Sequence, residues 1–286
     1  MSLKLNTKSL KLKQPEGYYH VSHYPTDAEL RDYYSKKNYE KRNMIEYYDR
    51  DREYYTLQNR LIIQWIMKKI KISPILADIG CGIGHFLQAA NDLGVEAEGY
   101  DISEDAVNFC KSHGLKATIK DLLVDDVLTE SQINTVFCKN VIEHIKFPAS
   151  LVQKISAINS VKYVVLGAPN DFSSLQEYYV KRDNLEPYWI DEFHHFNYFT
   201  HKSIENLLSI NGFKPIARFS TFPIEIFQSF GIDYLTDRSK GRSAHLARIE
   251  IEKKISNISP DLYIDLLEAC ANNNMGREAL ILAERI

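Results

Sequence analysis

With 286 residues, 44% of them hydrophobic and 26% charged, the chain is long enough to bury a full core, and its composition excludes a disordered or fibrous class. A formal net charge of −3 argues against a surface that holds a nucleic-acid backbone by charge alone. No apolar stretch reaches membrane length, residues 1–12 lack a signal-peptide pattern, and the four cysteines (Cys81, Cys110, Cys138, Cys270) lie far apart without ligand spacing, so a reducing, cytoplasmic compartment is expected.

The first dozen residues alternate lysine and leucine (Leu3, Lys4, Leu5, Leu10, Lys11, Leu12), which reads as a frayed basic leader in preference to an edge strand. Ten of the 18 tyrosines fall between Tyr18 and Tyr55, an amphipathic segment suited to covering a ligand. Within it, Thr26-Asp-Ala-Glu29 is a capping-box pattern that starts a helix carrying Leu30, Tyr33 and Tyr34. A longer helix is expected from Ile45 to Lys71, with Leu57, Leu61, Ile62, Trp65 and Ile66 on its buried face.

Leu76-Ala-Asp-Ile79 then reads as a buried strand, stopped by Gly80, Gly82 and Gly84 at every second position. Phe86 to Leu93 reads as a helix whose N-terminus points at this turn, and strand, glycine turn and helix start together make a cofactor site. The spacing is not that of a dinucleotide fold, because Gly-x-Gly-x-x-Gly would need a glycine where His85 stands. Asp78, just before the turn, suits a cofactor that lacks phosphate and carries a positive amine. A second strand, Val95 to Tyr100, ends in Asp101, where Rossmann-like folds place an acid on ribose hydroxyls.

Strands and helices keep alternating, the pattern of a parallel sheet. Ser103 caps a helix to His113, and further strands are expected at Lys116–Lys120, Ile133–Cys138 and Val161–Gly167, with a helix at Pro148–Asn159. Their ends align Gly80 to Gly84, Asp101, Asp121, Asn140 to His144 and Pro169 to Asp171 along one rim. The connection from Asp171 to Thr200 is long enough to be functional or to carry a short helix of its own, and it holds Tyr178, Tyr179, His194 and His195. A helix from Thr200 to Asn211, a strand from Phe213 to Phe222, a helical stretch and a last apolar run, Ala279 to Ala283, complete the chain.

The run Asp78-Ile-Gly-Cys-Gly-Ile-Gly84 resembles the signature of class I S-adenosylmethionine-dependent methyltransferases. Asp101 matches that family's second signature and Asp121-Leu122 its third, while Val141-Ile-Glu-His-Ile145 is similar to ubiquinone-type O-methyltransferases. The resemblance is carried by residues 75–150. It implies an α/β, Rossmann-like sheet of seven strands, mostly parallel with the last antiparallel. Around it are expected a helical cover over residues 1–72, a cofactor-binding core over 73–222, and a helical insertion plus final strand over 223–286. S-adenosylmethionine is the implied cofactor and S-adenosylhomocysteine its product. Contacts to it are expected from Asp78, Gly80, Cys81, Gly82, Gly84, Phe86, Asp101, Ile102, Asp121, Leu122, Asn140 and His144. Some relatives place Glu-x-x-Glu-His on the fourth segment as metal ligands. Here Asn140 stands at the first Glu, and with only Glu143 and His144 left no required metal is expected.

Methyl transfer from a sulfonium is an in-line displacement, so the protein aligns a nucleophile and excludes water, and an oxygen nucleophile also needs a base. His195 is the first candidate for that base, followed by His194 and His144. Tyr33, Tyr34, Tyr178, Tyr179, Arg242 and Arg248 are candidate acceptor contacts. The expected reaction is methylation of a hydroxyl on a small polar molecule, a sugar or related metabolite of a bacterial surface-polysaccharide or secondary-metabolite pathway. No nucleic-acid or membrane partner is expected, and the oligomeric state stays open. Lys139-Asn-Val-Ile142 lacks the Pro-Pro-aromatic motif of DNA amino-methyltransferases. The alternatives are transfer to nitrogen or a phosphate-like oxygen, a nicotinamide-dependent dehydrogenase, and a cofactor-binding protein without chemistry. If the backbone of Gly82 lies against the cofactor, Gly82→Val should weaken S-adenosylhomocysteine binding well beyond the ~0.5 kcal/mol of a surface change. Calorimetry that finds normal binding in this variant would overturn the reading of the turn.

Overall fold

The computed structural model describes residues 10–24, 26, 48–121, 123–124, 132–190 and 195–286. The helix expected to follow Thr26, with Leu30, Tyr33 and Tyr34, lies outside these, as do Leu122 and His194. Two short strands come first, β1 (Leu10–Leu12) and β2 (Tyr19–Val21). After helix α1 (Tyr48–Lys69) the chain alternates through β3 (Leu76–Ile79), α2 (His85–Asp92), β4 (Ala97–Asp101), α3 (Glu104–Ser112), β5 (Ala117–Ile119) and β6 (Thr135–Lys139). It continues through α4 (Pro148–Ser156), β7 (Tyr163–Pro169), α5 (Ser174–Asp183), β8 (Asn197–Tyr198), α6 (His201–Ile210) and β9 (Phe213–Phe219). Helices α7 (Gly241–Ile258) and α8 (Pro260–Asn272) then precede the last strand, β10 (Glu278–Arg285).

Seven strands form one sheet in the order β5-β4-β3-β6-β7-β10-β9. Strand β10 runs antiparallel to both neighbours, and the other pairs are parallel. This is the Rossmann-like arrangement expected. Alternation along the strands divides the core. Val136, Cys138, Val164, Leu166 and Ile281 face α4 and α6, while Phe137, Val165, Leu280 and Leu282 face α1, α2 and α8. In α1, Leu61, Ile62, Trp65 and Ile66 are buried as the helical period requires, and the Trp65 indole N–H donates to Glu268 of α8 at 2.8 Å.

Local signals account for many element ends. Ser103 caps α3 by accepting from the Ala106 amide, and Ser173 with Gln176 forms a capping box on α5, the short helix inside the long 171–200 connection. The leader departs from expectation: Leu10–Leu12 does not fray but pairs antiparallel with β2, and β2 pairs with β8 to make a second, three-stranded sheet. Tertiary contact stabilises it, because Leu10 and Val21 are buried with Phe172, Trp189, Phe196 and Tyr198.

Just before β10, Gly276 lies against the end of β9, where a Cβ would collide with the Ser220 side chain and stand 2.5 Å from the Thr221 carbonyl oxygen. Gly276→Ala should therefore destabilise the fold by about 1–3 kcal/mol, the range for overpacking. The urea midpoint should fall with an unchanged slope; an unchanged midpoint would refute this account of the β9–β10 junction.

Candidate active site

The turn after β3 uses the conformations that favour glycine: φ is 72° at Gly80, 50° at Gly82 and 82° at Gly84. The amides of Gly80 and Cys81 both donate to the Tyr100 carbonyl, at 2.7 and 3.3 Å, which ties the turn to the end of β4. Gly84 has a packing role as well, since a Cβ there would stand 2.7 Å from Leu115 and 2.8 Å from the Cys110 sulfur. Asp101 closes the arrangement: its Oδ2 accepts from the Gly82 amide at 2.8 Å and its Oδ1 from the Ser103 amide at 2.9 Å. A carboxylate held by two backbone donors is fixed in direction at the strand end.

The other expected cofactor residues divide by where their side chains go. Cys81 turns into a cluster with Leu87, Val107, Cys110 and Leu115, and the Phe86 ring stacks on Phe137 at 3.9 Å inside the core. Cys81 contributes its backbone to the turn and Phe86 lies in the first turn of α2, and both side chains go to packing. Ile102 is 74% exposed just beyond β4, an apolar side chain left open at the rim. Asp121 Oδ1 accepts from the Leu123 amide at 2.8 Å. Asn140, exposed with φ 58°, directly follows β6 and donates its amide to the Gly167 carbonyl at 3.0 Å. Asp78 is buried, and burial together with nearby Asp101 pushes its carboxyl up to about 8 while Lys139 pulls it down.

The histidines meet across a turn of chain. The Phe196 amide donates to the Glu143 carbonyl at 2.7 Å, and the Asn197 side-chain amide donates to the carbonyls of Ile142 and Ile145 at 3.2 and 2.7 Å. These bonds set the His195 ring edge-on to His144 with centroids 5.1 Å apart, while His144 Nε2 lies 3.7 Å from Glu143 Oε1. Glu143 is buried, which holds its carboxyl well above the usual range. Among the described residues, Glu143, His144 and His195 bring three donor atoms within 4.8 Å of one another, a group able to hold a metal ion. The expectation of no required metal rested on two donors along one segment; the fold adds His195 as a third.

The expected acceptor contacts are dispersed. Tyr178 and Tyr179 flank the Arg182 guanidinium on α5, and the Tyr179 hydroxyl meets Ser229 Oγ at 2.9 Å. Arg242 is exposed on the first turn of α7. Arg248 turns inward, over the Tyr54 ring at 5.0 Å, donating to His245 Nδ1 at 3.0 Å and lying 3.6 Å from Glu252. Burial pushes Glu252 up to about 7 against the pull of Arg248. The sequence reading missed Lys139 and Glu278, 3.8 Å apart at the rim, and Glu225, buried and bonded to Arg277 at 2.5 Å and Tyr188 at 3.1 Å. For Lys139 there was a signal: it directly precedes Asn140 at a strand end.

Residues 48–218 match the family model described as a methyltransferase domain, and the chain belongs to that family, the class I S-adenosylmethionine-dependent methyltransferases. It is similar to the ubiquinone biosynthesis O-methyltransferase of Methylococcus capsulatus, 33% identical over 116 residues that cover 37% of this chain and 48% of that one. The enzyme of the same name from Bordetella avium is 28% identical over 109 residues, covering 35% and 45%. The chain thus spans about half the length of the curated relatives it matches. Among solved structures, the plantazolicin methyltransferase BamL superposes with a TM-score of 0.55 at 15% identity, covering 89% of this chain and 93% of that one. The magnesium protoporphyrin IX methyltransferase of Synechocystis gives 0.53 at 14%, covering 91% and 100%. At these identities the likeness is one of fold.

The state of Asp78 generates a prediction. If its carboxylate takes the cofactor's ammonium, a carboxyl that titrates near 8 in the free protein must lose its proton on binding below that pH. Affinity for S-adenosylhomocysteine should then rise with pH from 6 to 8, by at most about tenfold per unit, and flatten above 8. Calorimetry across this range checks it, and Asp78→Asn should remove the slope. A pH-independent wild-type affinity would overturn the assignment.

Proposed function

We propose that the protein transfers the methyl group of S-adenosylmethionine to a hydroxyl of a small polar acceptor, a sugar or related metabolite of a bacterial surface-polysaccharide or secondary-metabolite pathway. The observation that carries the reading is the meeting of His195, His144 and Glu143 beside the glycine turn's rim. The names of the curated relatives, O-methyltransferases, support oxygen as the target atom.

The residues present fit the cofactor. Gly80 and Gly82 offer backbone without side chains, Asp101 is a directed carboxylate for ribose hydroxyls, and buried Asp78 is an acid whose ionisation a positive amine would favour. The bound cofactor supplies an activated methyl on a sulfonium. The protein's part is to align the hydroxyl, exclude water and remove one proton. His195 takes that proton at Nε2, because its Nδ1 is buried. The bonds from Phe196 and Asn197 to the 142–145 turn hold the ring in place, and β1, β2 and β8 back the segment that carries it.

Glu143 and Asp171 are buried acids that burial holds well above the usual carboxylate range, with Lys139 pulling the first down and Arg277 the second.

A mass-spectrometric screen for acceptors that gain one methyl group tests the reaction class, and calorimetry that finds NAD bound in place of S-adenosylhomocysteine would reverse it. With an acceptor in hand, His195→Ala should slow single-turnover transfer by about a hundredfold to ten-thousandfold, the usual contribution of a positioned base. Cofactor affinity should barely change. A variant within a few-fold of wild type would make His195 structural.

A further inference from the structure

Lys139 ends β6 beside the glycine turn. In the β3–β6 register Asp78 faces Phe137 and Ile79 faces Cys138, so the next residue of β6 is level with Gly80. Neighbouring residues of a sheet point to the same side and alternate along each strand, so Asp78, Phe137 and Lys139 share one face. On β7 the partner of Lys139 is Gly167. A Cβ at Gly167 would stand 3.3 Å from Lys139 Cγ and 3.0 Å from Leu280 Cγ, so glycine leaves a bare strip of backbone over which the lysine lies.

The ammonium reaches to 3.8 Å from Glu278 Oε2 at the start of β10. That distance gives attraction but no hydrogen bond, so the pair does not consume the three N–H donors of the lysine. The side chains are 18% and 20% exposed, so neither is sealed in the core. On its other side Lys139 is the cation acting on Asp78, opposing Asp101 and burial.

An α-amino acid carries its ammonium and carboxylate on one carbon. A site whose acid receives the ammonium must therefore meet the carboxylate within a few ångströms, and an anion needs a cation or donors there. We propose that Lys139, laid across Gly167 and only 3.8 Å from Glu278, binds the carboxylate of the cofactor's amino-acid end, so that Asp78 and Lys139 form a complementary pair for the zwitterion. This rests on the S-adenosylmethionine reading of the site.

Equilibrium binding of two probes tests it: S-adenosylhomocysteine, and its decarboxylated analogue, which keeps the amine and lacks the carboxylate. Wild type should prefer S-adenosylhomocysteine by about tenfold or more, the strength of a hydrogen bond between charged groups. Lys139→Met should bring the ratio close to one by weakening S-adenosylhomocysteine alone, and Lys139→Arg should keep the preference. Glu278→Gln removes the acid that competes for Lys139 and should keep or widen it. The proposal is overturned if Lys139→Met retains the wild-type ratio or weakens both probes equally, or if Glu278→Gln narrows the ratio. Wild type that binds both probes equally would refute the role of Lys139 and leave the cofactor reading standing. Wild type that binds neither would remove both.

Discussion

The insertion of β10 between β7 and β9 is the constraint on which much of the structure depends. Ala279 to Ala283 are fully buried there, with backbone pairing on both sides, so the strand is at once core and ladder. Because β10 is antiparallel, its first residues emerge at the rim where the parallel strands end. That delivers Glu278 beside Lys139 and Arg277 beside Glu225. It also fixes Asn170, whose amide donates to the Arg277 carbonyl and whose side chain donates to Gly276 and Asn274. The end of β7 is thereby held by a segment more than a hundred residues away in sequence.

The small sheet does the same for the other side of the site. Strand β2 lies between β1 and β8, and only Phe196 separates His195 from β8. The Val21 amide donates to the Phe196 carbonyl while the Phe196 amide donates to the Glu143 carbonyl, so one residue joins the N-terminal strands to the turn after β6. Asn197, buried, spends its side-chain donor on the same turn. The histidine pair is therefore a product of backbone pairing, with its geometry set on both sides.

Buried acids are the site's second organising feature. Asp78, Glu143 and Asp171 are each raised chiefly by burial, and each feels another acid. Lys139 lowers the first two, and Arg277 lowers the third. Acids held above their usual range respond strongly to any cation placed among them.

The nucleotide-binding half was legible because its signals are local. Asp78, the three glycines and Asp101 lie within 24 residues, and each follows from a strand end or a turn that needs left-handed backbone. The antiparallel last strand was reached through family resemblance, since Ala279 to Ala283 reads only as a short apolar run. What lay beyond the sequence depends on contacts between distant segments. Leu10–Leu12 is a strand because β2 is there to pair with it, and Phe86 is core because Phe137 lies under it. His195 joins Glu143 and His144 through three bonds that its neighbours Phe196 and Asn197 donate to backbone carbonyls about fifty residues away, and Lys139 meets Glu278 across the bare Gly167 of the strand between theirs. Periodicity and turn chemistry act over a few residues, so they determine which elements form. Which side chains face one another is decided by sheet register and by burial, and those exist only once the chain has folded.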